Sequence, residues 1–222
     1  MTEPISWRQF RESDGVEDWR NLSDAACVFF RAQTYADAIR FVAAIGVLPG
    51  MEEHRPAIDI RHDGVTVQLV TVSQTYDGMS RRDVDLAREI SAVARSTGLV
   101  ASPAAIQSLL VIPGAPQGLD VLPFWQAVLG YERRPGSSDE DLVDPHRRGP
   151  ALWLERMRET RPDGGGALHL AIWVPHEQAE ARVAAALEAG GRLVRDAGAP
   201  AWWTLADAAG NEVDVATTMG RD

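Results

Sequence analysis

A chain of 222 residues, 45% hydrophobic and 24% charged, has room for two cores of roughly 100 residues each. The formal net charge of −10 argues against a nucleic-acid or anionic-membrane surface, since both need clustered Lys and Arg. No apolar run reaches the ~18 residues of a membrane span, and the opening MTEPISWRQF lacks a basic-then-apolar leader. The single cysteine, Cys27, precludes an internal disulfide and reads as a small buried hydrophobe between Ala26 and Val28. These features predict a cytoplasmic protein whose partner is a small molecule, with no nucleic acid and no membrane.

In chain order, residues 1–24 read as a polar lead-in with Trp7 and Phe10 docking on the domain, and residues 25–32 as a strand. Thr34 is placed to cap a helix over 35–45, whose Ala38, Phe41, Val42 and Ile45 fall on one face and which Gly46 and Pro49 stop. AIDIRHDG and VTVQLVTVS alternate at period two around His62-Asp63-Gly64, which predicts a hairpin with His62 in its turn. A second helix spans 80–96 and closes at Gly98. The order β-α-β-β-α predicts an α+β sandwich with helices on one face of an antiparallel sheet.

Residues ~17–97 carry EDWRN, EEHRPAIDIRHDGVTVQLVTV and GMSRRDVDLA, and in these the chain resembles the pterin-4a-carbinolamine dehydratases. That family has a His-His-Pro motif, a later Thr-His and an Asp opening the last helix. The resemblance puts His54 at the first histidine, Pro56 at the proline, Thr71 at the threonine and Asp83 at the aspartate; Arg55 and Val72 stand where the other two histidines belong. It implies a lyase with His54 and Asp83 as catalytic residues. Imidazole suits a dehydration because its pKa lies near neutrality, whereas Arg55 stays charged and Val72 carries no exchangeable proton. A plainer reading stands beside this one. Asp83 lies three residues after Ser80, the N3 place of a capping box, and capping alone would account for a carboxylate there; His54 could be a loop residue bonded to backbone.

A short joint at 96–103 separates a dehydratase-like domain, 1–98, from a second domain, 104–222, and its brevity implies that the two touch. Beyond it one pattern occurs twice. IQSLLVIP (106–113) is followed by the helix PFWQAVLG, then YERR, DLVDP and ALWLERM; LHLAIWVP (168–175) is followed by an alanine-rich helix over 176–189 and strands ending in GNEVDVA. Two such βαβββ units can close around a shared cleft. Gly164-Gly165-Gly166 reads as the connection between repeats, and Asp139-Glu140-Asp141 and Arg147-Arg148 as solvated turn charges.

With PFWQAVLGYE, the paired units and the ending LADAAGNEVDV, this half resembles the vicinal-oxygen-chelate superfamily, which includes glyoxalase I, extradiol dioxygenases and antibiotic-binding resistance proteins. The resemblance implies a cleft holding a divalent cation (Zn, Ni, Mn or Fe). Its ligands would come from the first and last strands of each repeat: Gln107, Glu155, His169 and Asp214, with Gln107 set opposite His169 by aligning Pro113 with Pro175. Strand alternation then groups His169 with Ala171 and Trp173, and puts Gln107, Leu109 and Val111 on the cleft face. Trp153, Trp173 and Trp203 are the expected pocket residues, Trp202 and Trp203 pointing to opposite faces of one strand. A single histidine disfavours the iron site of a ring-cleaving dioxygenase.

Three functions follow from these readings. One is a lyase acting on a pterin-like ring through His54. Another is a metal-assisted isomerase or lyase at Gln107, Glu155, His169 and Asp214. The third is a non-catalytic protein that sequesters an aromatic compound or antibiotic between tryptophans. Both resemblances imply a homodimer or higher homo-oligomer.

Overall fold

The computed structural model describes residues 3–118, 121–137, 140–157, 167–206 and 212–221. The glycine run 164–166, Asp139 and Gly210 lie outside the described residues. Two compact units divide the chain, with the main changeover between Ile106 and Gln107; Gln74–Tyr76 groups with the second unit and the chain's last residues, from Gly220, with the first.

The first unit contains α1 (Trp7–Arg11), β1 (Arg20–Leu22), β2 (Ala25–Arg31), α2 (Tyr35–Ile45), β3 (Ala57–Arg61), β4 (Gly64–Leu69), β5 (Thr71–Val72), β6 (Asp77–Gly78), α3 (Arg81–Thr97) and β7 (Val100–Ala101). An antiparallel sheet runs in the order β1-β2-β4-β3, with β7 also paired to β2, and β5 and β6 form a separate small ladder. Alternate residues of β2 (Ala26, Val28, Phe30) and β4 (Val65, Val67, Leu69) bury against Phe41 and Ile45 of α2 and Ile90 of α3, so both helices cover one face. Phe30 and Phe41 meet edge to face, their ring centroids 5.2 Å apart. The polar lead-in holds more structure than its composition suggests: Phe10 and Trp19 enter the core, and the Trp19 indole donates to Ser91 Oγ at 3.0 Å. α2 starts in the capping box of Thr34 and Asp37, and α3 ends where Gly98 turns left-handed at φ 79°.

The second unit contains β8 (Ser108–Pro116), α4 (Leu122–Leu129), β9 (Glu132–Arg133), β10 (Asp141–Val143), β11 (Ala151–Trp153), β12 (Glu155–Met157), β13 (Ala167–Trp173), α5 (His176–Glu188), β14 (Arg192–Arg195), β15 (Trp202–Ala206) and β16 (Glu212–Ala216). Its sheet runs β14-β15-β16-β13-β8-β11-β10-β9, with β12 also paired to β8. Each half is a βαβββ unit whose first strand lies parallel to its last, β8 to β11 and β12, and β13 to β16; the halves join where β8 and β13 pair antiparallel. One face is covered by the helices. Leu142, Leu152 and Leu154 pack with Leu122 of α4, and Leu205 and Val215 with Ala179 of α5. No helix among the described residues is long and apolar enough to cross a membrane.

Candidate active site

In the first unit the polar groups converge at the start of α3. Ser80 and Asp83 are fully buried there, and Thr71 and His54 nearly so. Asp83 stands at the third helical position, where its Oδ2 accepts from the Ser80 backbone N–H at 2.7 Å and lies 2.9 Å from Ser80 Oγ and 2.8 Å from Thr71 Oγ1. The two hydroxyls are also 2.6 Å from each other. Two hydroxyl hydrogens therefore serve three short contacts, and the group stays satisfied whichever pair is bonded.

The other carboxylate oxygen, Oδ1, lies 2.7 Å from Nε2 of His54. His54 arrives on the turn after α2, its backbone N–H donating to Gly50 O at 3.1 Å. An ionised carboxylate only accepts, so Nε2 carries the hydrogen of this bond and Nδ1 is left as the ring's exchangeable position. No hydrogen bond to Nδ1 is made among the described residues, and the side chain keeps about a tenth of its surface exposed. Asp83 thus caps the helix with one oxygen, as the capping reading expects, and holds the imidazole with the other. Arg55 and Val72, at the places of the missing histidines, are open to solvent; Arg55 pairs with Glu52 at 2.6 Å.

In the second unit three of the four expected ligands come together on the face away from the helices. His169 lies between Glu155, 3.7 Å from Nδ1 to Oε2, and Asp214, 3.6 Å from Nε2 to Oδ2. These are ion-pair separations, longer than direct hydrogen bonds. Asp214 is oriented from its other oxygen by Thr204 Oγ1, which donates at 2.6 Å across the β15–β16 ladder. Asp214 beside the ring, first of all, raises the His169 pKa above the usual imidazole value; partial burial opposes this, and the charges of Glu155 and Glu212 add to the rise.

Gln107 is not in this cluster. The pairing of His169 with Ile112 puts the even-numbered residues of β8 on the histidine's face, whereas Leu109 and Val111 pair with Ile172 and Leu170 toward the helices. Gln107 belongs to that second set and accepts from Arg182 of α5 at 3.3 Å. Aligning the repeats through Pro113 and Pro175 misplaced it, because β8 runs on through Pro113 to Pro116 and a shift of one residue exchanges the faces of a strand. Trp203 likewise belongs to the helix layer, packed with Val215 and Ala179. Its neighbour Trp202 shares the face of Asp214, as does the partly exposed Trp153, while Trp173 is buried. Trp202 and Thr204 were not anticipated as site residues; the β15–β16 register that aligns them with Ala216 and Asp214 is a tertiary property.

The donors do not suit a resident cation. The two carboxylates address opposite nitrogens of one ring, and a cation can take only one of those nitrogens, so at most one imidazole and one carboxylate converge. Protein metal centres of this kind use three or four protein ligands. Among the described residues no three His, Cys, Asp or Glu side chains form a metal-holding group.

Comparison with known proteins divides the chain in the same way. Residues 5–93 match the family model described as pterin 4 alpha carbinolamine dehydratase, and residues 111–216 that of a glyoxalase-like domain. A putative pterin-4-alpha-carbinolamine dehydratase of Nocardia farcinica (strain IFM 10152) is 36% identical over 80 residues, which cover 36% of this chain and 82% of the relative. The protein of the same name from Mycobacterium leprae (strain TN) is 32% identical over 75 residues, 34% of this chain and 78% of that one. Among solved structures, the transcriptional coactivator/pterin dehydratase of Brucella melitensis is 25% identical, with a TM-score of 0.33 over 39% of this chain and 89% of that one.

Proposed function

The chain belongs to the pterin-4a-carbinolamine dehydratase family through its N-terminal unit, with a glyoxalase-like domain behind it, and from that premise we propose that the first unit is a lyase removing water from a hydroxylated, pterin-like bicyclic ring. The observation that carries this reading is the buried 2.7 Å contact between His54 and Asp83. Asp83 fixes the ring's orientation and leaves Nδ1 to handle the proton.

The elimination breaks the carbon–oxygen bond as the hydroxyl takes a proton and leaves as water; the neighbouring ring nitrogen gives up its proton, and a carbon–nitrogen double bond forms. One imidazole can serve both events in turn. As imidazolium it donates to the departing hydroxyl, and as neutral imidazole it takes the nitrogen's proton and is restored. Arg55 and Val72 supply no second proton carrier, so His54 works alone or with solvent, and turnover is slow for this chemistry.

The test is an absorbance assay for the quinonoid product with a 4a-hydroxytetrahydropterin, comparing the wild type with His54→Ala. The reading expects a rate above the uncatalysed background that His54→Ala abolishes. A wild-type rate equal to background would overturn it. The glyoxalase-like unit is assigned no metal step, because the donors of its polar face diverge.

A further inference from the structure

We propose that the glyoxalase-like unit carries, across the seam between its two repeats, a metal-independent relay of polar side chains, Glu155–His169–Asp214–Thr204, standing where the fold would lead one to expect a cation centre. The inference rests on the second unit alone and is independent of the dehydratase reading.

The relay crosses the seam between the repeats. Glu155 lies on β12, in the first repeat, and His169, Thr204 and Asp214 on β13, β15 and β16, in the second. The strand between Glu155 and His169 is β8, whose Gly114 pairs directly with Glu155. Asp214 pairs directly with Ala171. Asp214, opposite Ala171, is therefore the diagonal neighbour of His169 on the adjacent strand, while Glu155 reaches the imidazole across the intervening β8, over Gly114.

Partial burial gives the link its strength. The His169 and Asp214 side chains are 18% and 17% exposed, against 46% for Glu155. Charges withdrawn from water attract more strongly than surface pairs, so the Asp214 side of the relay dominates and the Glu155 side is the weaker tie. A cation in the same place would have to compete for one ring nitrogen while the other remained committed to the opposite carboxylate.

Untagged full-length protein, dialysed against chelator and then given zinc, nickel or manganese, tests the metal independence. Bound metal should stay below about a tenth of an equivalent and the melting temperature should not move by more than ~1 °C, whereas a true centre at 100 times its Kd would raise it by roughly 5–10 °C. Stoichiometric metal, or a rise of that size, overturns the proposal. His169→Gln should lower the melting temperature by several degrees, and adding Asp214→Asn to it should cost less than Asp214→Asn costs alone. Additive losses, or none, sink the relay. If His169→Gln does not fold, Glu155→Gln and Asp214→Asn made singly provide the reading: a lowered melting temperature in each supports the relay, and the absence of a loss in either one contradicts it.

Discussion

Asp83 and His54 are 29 residues apart in the chain and 2.7 Å apart in space, and the carboxylate that holds the imidazole with one oxygen closes the first turn of α3 with the other. Helix capping and the orientation of the imidazole therefore meet in a single side chain. His54, at the edge of the network, is the member that the proposed dehydration would use.

Asp83→Asn should separate these roles from those of His54. The amide no longer accepts as a carboxylate and can donate to Nε2, which reverses the tautomer of His54. Dehydration should fall by roughly 10²–10⁴-fold, and urea unfolding should show a loss of about 1–3 kcal/mol from the weakened cap and its buried hydroxyls. His54→Gln should lower the rate as much while moving the unfolding midpoint far less. Equal destabilisation by both would show that His54 is a structural residue.

The two departures from the family's histidines are exposed, so replacing them disturbs little packing. Arg55→His with Val72→His should raise dehydratase turnover by about tenfold or more if proton transfer limits the rate, with the melting temperature unchanged. A stable double variant with no gain in rate would mean that a missing proton carrier is not what limits the enzyme.

Cys27 is fully buried on β2, and desolvation, with a smaller contribution from the charge of Asp24, pushes its thiol up to about 12. Native protein at pH 8 should react with a disulfide reagent only as fast as it unfolds, with one equivalent released in denaturant. Because the folded pKa lies above the unfolded value, the contribution to stability is complete below about pH 9 and is lost as pH rises toward 12. Cys27→Ala should flatten that alkaline decline; rapid labelling of the native protein would contradict the burial.

Gly64 opens β4, paired with Arg31 at the end of β2. A methyl group there would overlap the carbonyl oxygen of Phe30 and come within 2.7 Å of the Phe29 ring. Gly64→Ala should therefore destabilise the first unit by about 1–3 kcal/mol or more, read by denaturant unfolding. A neutral substitution would show that the two strands can separate locally without cost.

Much of the architecture was legible in the chain. The helix over 35–45 with its cap at Thr34, the hairpin turned at His62 and Asp63, the left-handed stop at Gly98 and the duplicated βαβββ order all rest on neighbours a few residues apart. The position of Asp83 in its helix could be counted from Ser80. Its second partner could not, because His54 reaches it through the turn after α2, outside any local pattern.

By itself the sequence determined which segments alternate, where helices start and stop, and that Trp202 and Trp203 point to opposite sides of a strand. Only the tertiary structure decided which side each strand presents to its neighbours. The phase of a period-two pattern is set by hydrogen bonds to another strand, and the pairing of Ile112 with His169 sends Gln107 to the helices while keeping Glu155 and Asp214 on either side of the histidine.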